Sequence, residues 1–191
     1  MKQTEVESEA FRNDWQTHYS SRLPLAWELR EEGILPWARF HFLPESKHWP
    51  TNAKENKTVL ERADVLGNAV LGLGSPCWHV ECLRADDPEI QKGAVSAGFV
   101  AQVFSYEWNT WIVFVSSEIW KSSETRAKRL IEIARDETWP HSIFWMSKEN
   151  GQIFAPYDGG FDLFLKSKQD VAHLRAKHEN WLPLPSHPGG M

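Results

Sequence analysis

Ser142-Ile143-Phe144-Trp145-Met146-Ser147-Lys148-Glu149-Asn150-Gly151-Gln152-Ile153-Phe154-Ala155-Pro156-Tyr157-Asp158-Gly159-Gly160-Phe161-Asp162-Leu163-Phe164-Leu165-Lys166 is the segment that sets the architecture of this chain. Three short apolar runs alternate with two turn signals, Asn150-Gly151 and Asp158-Gly159-Gly160. Connections this short join only antiparallel neighbours, because a parallel crossover needs a dozen residues or more. Asn-Gly also suits the positive φ values of a type I′ hairpin turn. Strands are therefore expected over 142–146, 152–155 and 161–166.

Downstream, Ser167 and Asp170 have capping-box spacing for a last helix, Lys168 to about His178. Upstream, Ser122 or Ser123 can cap a helix running to about Asp136. Phe99–Tyr106 and Thr110–Ser116 read as two strands around a turn at Glu107–Asn109. Ile112-Val113-Phe114-Val115 is apolar on both faces, which places its strand inside the sheet. Trp37–Leu43 and Trp78–Leu83 are further strands. Lys54–Leu71 is an amphipathic helix with Val59, Ala63, Leu66 and Val70 on one stripe and Glu61 and Arg62 outside it. Residues 8–20 and Leu25–Glu32 complete the helices, the second ended by Gly33. The expected fold class is α+β, a mostly antiparallel sheet with helices packed on one face. Repeats and linkers are lacking, so 1–191 is expected to be a single domain, with 1–7 and 183–191 as extended or flexible ends.

Composition narrows the function classes. The chain has 191 residues, 41% hydrophobic and 25% charged, which is the balance of a globular protein. Its net charge is −5, and no Lys/Arg cluster suggests a duplex-binding face, so nucleic acid is not expected as a partner. Neither a secretory leader nor a membrane span is legible, and two cysteines do not make a disulfide framework. A cytoplasmic protein is expected, without membrane association; composition is silent on oligomeric state. The eleven tryptophans are scattered from Trp15 to Trp181, and most are expected in the core or at its half-buried edge rather than in an aromatic cage.

No phosphate loop, dinucleotide fingerprint, His-Glu-x-x-His or Gly-x-Ser-x-Gly occurs, and no cofactor is expected. Cys77, His79 and Cys82 are the nearest approach to zinc ligands. On a strand, however, Cys77 and His79 share one face while Cys82 points to the other. In Trp37–His48, Arg39 and His41 project from one strand face, and the Pro44-Glu45-Ser46-Lys47 turn can bring Glu45 and Lys47 back toward them. A guanidinium, an imidazole and a carboxylate so placed suit anion binding or proton transfer; they equally make an ion-pair network that fixes a turn. Around Tyr157, the paired glycines allow close approach of a ligand or another chain. Asp158 and Asp162 there form a carboxylate pair or merely cap their own turn.

Several of these segments resemble one family. Arg39-Phe40-His41 with Leu43-Pro44-Glu45-Ser46-Lys47, then Leu60-Glu61-Arg62, then Pro156–Asp162, then Trp181-Leu182 with His187-Pro188 and Gly190-Met191, are similar to a family of uncharacterised bacterial proteins. Its pattern reads Arg-x-His-Ser-Leu-Pro-Glu-Ser-Lys-Arg-Tyr early and Pro-Tyr-Asp-Gly-Gly-x-Asp late, with a Trp-Leu-Ser-x-His-Pro-x-Gly ending. The likeness spans roughly residues 25–191 and is carried by its two ends. Here Phe42 replaces a Ser, and His48 and Trp49 replace an Arg-Tyr pair. If that Arg serves a site, a partly protonated histidine is a weaker substitute. The resemblance implies no reaction. It does imply that the two polar turns meet, with Arg39 or Lys47 against Asp158 or Asp162.

The candidate polar site is accordingly Arg39, His41, Glu45, Lys47, Tyr157, Asp158 and Asp162. The leading functional expectation is a binding or interaction domain of immunity or accessory type, with another protein as partner. The first alternative is a small hydrolase or transferase for an anionic substrate, using Arg39 and Lys47 as anion binders and His41 or Asp158 as acid/base. The second is a zinc-stabilised domain.

Overall fold

A computed structural model describes residues 3–31, 33, 35–93, 95 and 98–183 of the chain. In chain order the helices are α1 Gln3–Tyr19, α2 Ala26–Glu31, α3 Ala53–Leu71, α4 Pro88–Lys92, α5 Ala127–Ala134 and α6 Lys168–Lys177. The strands are β1 Trp37–His41, β2 Pro76–Arg84, β3 Phe99–Tyr106, β4 Asn109–Ile119, β5 Ser142–Ser147, β6 Ile153–Tyr157 and β7 Gly160–Phe164. They form one sheet of order β1-β7-β6-β5-β2-β4-β3, antiparallel at every pairing. The α+β reading holds.

The distribution of the helices differs from expectation: they cover both faces. On one face α3, α5 and α6 bury Val59, Leu66, Leu130 and Leu174 against Phe40, Trp145 and Phe161. On the other, α1 and α2 bury Phe11, Trp15, Tyr19 and Leu29 against Trp78, Val113, Phe144 and Met146. The reason lies in β5, where consecutive Ile143, Phe144, Trp145 and Met146 alternate between the two cores. A strand apolar on both sides needs cover on both sides. The chain start differs too, since α1 is already helical at Gln3. The ending around His187 lies outside the described residues.

Local signals mostly read true. Ser167 accepts from Asp170 N at 3.1 Å and caps α6, and Asn52 caps α3 by accepting from Glu55 N at 3.0 Å. The Asn150-Gly151 connection is not a type I′ turn. Only Gly151 takes a positive φ, 73°, while the Asn150 side chain accepts from Gln152 N in an Asx turn. The I′-like φ values occur instead at Glu107 (47°) and Trp108 (65°), between the paired ends Tyr106 and Asn109 of β3 and β4.

Two backbone features set the geometry around β6 and β7. Gly160 permits the β1–β7 pairing, because a Cβ on it would sit 1.9 Å from the Phe40 carbonyl oxygen. And β5 pairs with β6 at Trp145–Phe154 and Met146–Ile153, next to the hairpin end where Ser147 N–H donates to the Gln152 carbonyl at 2.9 Å, and at no strand residue beyond Trp145 toward Ser142. Beyond those rungs β5 stays zipped to β2 as far as Ser142, and β6 stays zipped to β7 as far as Tyr157. The sheet opens between them, where Pro156 has no N–H to give a ladder.

A cleft where the sheet opens

The opening is the floor of a cleft of about 920 Å³, lined by Ser142 and Ile143 of β5 and by Ala155, Pro156 and Tyr157 of β6. That volume lies in the range of small-ligand and peptide sites. Trp27 of α2, Trp111 of β4 and Trp139 form aromatic walls, with Tyr106 beside them. Trp27 and Trp111 meet edge to face at 5.6 Å, and the buried Trp111 Nε1 has no hydrogen-bond partner among the described residues. Ser142 Oγ accepts from Ala26 N at 2.9 Å, so α2 holds the free end of β5 in place. Tyr106 donates its hydroxyl hydrogen to Glu28.

Charge in the cleft is unevenly matched. Arg30 is 3.4 Å from the Asp162 carboxylate, and Arg84 is 2.6 Å from Asp86. Asp136 and Asp158, both lining the cleft, form no salt bridge among the described residues. Burial, then the Asp158 charge, raises the Asp136 pKa. Asp136 takes a left-handed φ of 60°, with its N–H donating to the Ile133 carbonyl at 3.0 Å. A non-glycine residue held there is uncommon and recurs at functional sites. Eight tryptophans are buried or half-buried, as expected; Trp49, Trp108 and Trp139 are exposed. Trp139 lines the cleft, and the fully exposed Trp108 sits between its lining residues Glu107 and Asn109.

Of the polar residues singled out in the sequence, three converge. Arg39 donates from Nε and Nη2 to the two Asp162 oxygens, both at 2.9 Å, and the pair is buried. The guanidinium carbon lies 4.2 Å from the Tyr157 ring centroid and 5.5 Å from that of Trp37. Burial alone would lower the Arg39 pKa, but the Asp162 pair outweighs it and the net shift is upward. Burial raises the Tyr157 pKa. His41 is near them, with Nδ1 3.2 Å from the Gly159 carbonyl oxygen; burial, then Arg39 and His48, lower its pKa. Asp158 faces the cleft beside Asp136 rather than pairing with Asp162.

Glu45 and Lys47 do not fold back toward Arg39. Glu45 is exposed at a φ of 56°, and Lys47 Nζ is 2.6 Å from Glu55 of α3. The cysteines separate as well: Cys77 lies in the core under α3 and Cys82 in the core under α1, where its Sγ–H donates to the Pro24 carbonyl at 2.8 Å. His79 is engaged with Glu118 at 3.3 Å and stacked on Trp145, so the three do not make a zinc site. Burial pushes the Cys77 thiol up to about 12. Sequence reasoning missed Asp136, which carries no motif. It also misplaced Arg62, which is buried and donates to the His41 carbonyl at 2.7 Å.

The fold is that of an antiparallel α+β protein with a cavity at a break in its sheet. The chain belongs to the family described as Domain of unknown function (DUF3885), whose model matches residues 25–184. No curated protein and no solved structure matches it. No helix among the described residues is long and apolar enough to cross a membrane.

Proposed function

We propose that this chain is a cytoplasmic bacterial binding protein whose cleft takes a basic, extended segment of a partner protein. The opening between β5 and β6 carries the reading: it exposes strand edges along a floor walled by tryptophan, the surroundings in which extended segments dock by main-chain hydrogen bonds. Charge selects the partner. The arginines of the cleft are matched, while Asp136 and Asp158 are left for a Lys or Arg side chain, which the aromatic walls also favour. Exposed Trp108 and Trp139 are the residue type that anchors protein interfaces.

The enzymatic alternative loses its anion binders, since Asp162 fills the Arg39 fork and Glu55 holds Lys47. Titration with basic, neutral and acidic hexapeptides, read by tryptophan fluorescence, tests the reading. Saturable binding is expected for the basic peptide alone, weakened roughly tenfold or more by Asp158→Asn or Trp139→Ala. Equal binding of the acidic peptide, or none by any, overturns it.

A further inference from the structure

The two edges of the sheet are finished differently. At one, β1 is buried from Ala38 to His41; at the other, β3 has β4 on its inner side and no strand outside it among the described residues. Natural edges are guarded by charged side chains, prolines, bulges or a covering element, because bare N–H and C=O groups recruit another strand. Phe99–Tyr106 holds no charged residue and no proline. A bulge between Val100 and Gln102 guards its first half, where Arg12 of α1 also donates from Nη1 to the Ala101 carbonyl oxygen at 2.9 Å. Beyond Ala101 no side chain bonds a β3 carbonyl among the described residues. Val103 there is 57% exposed, and Ser105 is exposed too.

The register shows which main-chain groups face outward. The Thr110 carbonyl accepts from Ala85 N at 2.8 Å, so the main-chain groups of Thr110 point away from β3. Opposed residues of an antiparallel pair point toward each other or away together, in alternation along the strand. Ser105, opposite Thr110, therefore turns its N–H and C=O outward, and so does Val103 two residues back. The Arg12 bond to Ala101, a further two residues back, fits the same alternation.

We propose that two copies of this chain pair edge to edge through β3, antiparallel about a two-fold axis at Phe104. Val103 of each copy then exchanges both main-chain hydrogen bonds with Ser105 of the other. The half-buried Phe104 rings, at the rim of the core under α1, meet as a cross-strand pair. Continuing that register sets Glu107 of one copy opposite Ala101 of the other, where Arg12 sits on the edge. Arg12 and Glu107 are exposed, and neither is in an ion pair among the described residues. Cation therefore meets anion on both sides of the axis, a self-complementarity that selects a second copy over an unrelated strand. Elsewhere a chain of net charge −5 tends to repel its own kind. The pairing does not rest on the peptide reading of the cleft.

Sedimentation equilibrium of the full chain from about 1 μM to about 1 mM tests the pairing. The mean mass should climb from 22.1 kDa toward twice that value. Arg12→Glu and Glu107→Arg should each weaken association roughly tenfold or more, and the two together should restore it. Val103→Pro should abolish it, because the lost N–H points outward and serves no bond to β4. Hydrogen exchange of the wild-type chain gives a readout that needs no variant: the Val103 and Ser105 amides should gain protection with concentration, and those of Phe104 and Tyr106 should not. A chain that stays monomeric throughout overturns the proposal and leaves the edge to a strand of another protein. Unchanged Val103 and Ser105 exchange, or a folded double charge exchange that associates no better than its single parents, also overturns it.

Discussion

Arg39 on the β1–β7 edge and Arg62 on α3 are the same side chain at nearly the same burial, 4% and 6% exposed, and they are treated in opposite ways. Arg39 has a carboxylate on its fork, a tyrosine on its face and a register glycine opposite its strand. Among the described residues Arg62 has one carbonyl and one indole. Burial of a charge thus says little by itself. What surrounds it decides its energetics: a paired group holds the fold, and an unpaired one carries a desolvation cost that its neighbours do not offset.

Urea unfolding gives the widest separation between the two regions. Asp162→Asn should cost about 3–5 kcal/mol, because it leaves the Arg39 charge buried and unpaired. Arg62→Met should cost less than about 1 kcal/mol or stabilise, since it removes a charge already in that condition. Equal losses would erase the contrast and give Arg62 a structural role. Next in size is Gly160→Ala, expected to cost about 1–3 kcal/mol as the Phe40 carbonyl is forced away. A loss no greater than that of a surface substitution would show that the Arg39–Asp162 pair holds the edge register unaided.

The pH dependence is smaller and has a definite sign. Burial lowers the folded His41 pKa below its unfolded value of about 6.5, so between the two the unfolded chain holds more protons. Stability should therefore rise with pH through that window, and His41→Gln should flatten the rise. Smallest of all, Asp158→Ala should change stability by no more than about 0.5 kcal/mol, as befits a residue in an open cleft. A loss near that of Asp162→Asn would move Asp158 from the cleft to the scaffold.

The elements were legible where local physics decides them. The stripe Val59, Ala63, Leu66 and Val70 is buried in α3 as read, and Ser167 with Asp170 caps α6. What stayed hidden depended on distant partners. The pairing of Arg39 with Asp162 rather than Asp158 turns on which residues of β1 and β7 oppose each other, Arg39 facing Asp162 in the register. Lys47 was expected near Arg39 but found Glu55 on the helix that follows it. Arg62 had a usable signal: it lies three residues after Val59 and four before Leu66, the spacing of the buried stripe, and only its charge argued it outward. For Asp136 no signal existed, since its place beside Asp158 comes from folding the end of α5 onto the β6–β7 turn.

The two rungs between β5 and β6 also matter mechanically. They make the sheet two leaves, β1-β7-β6 and β5-β2-β4-β3, hinged along Trp145–Phe154 and Met146–Ile153. Each leaf is zipped internally over its strand lengths, so thermal opening should follow the seam before it breaches either leaf, and amide exchange should show the leaves as separate cooperative units. A segment lodged in the cleft would strap one leaf to the other. Its free energy of binding would be added to the work of parting them, and the partner would set the rigidity of the whole sheet.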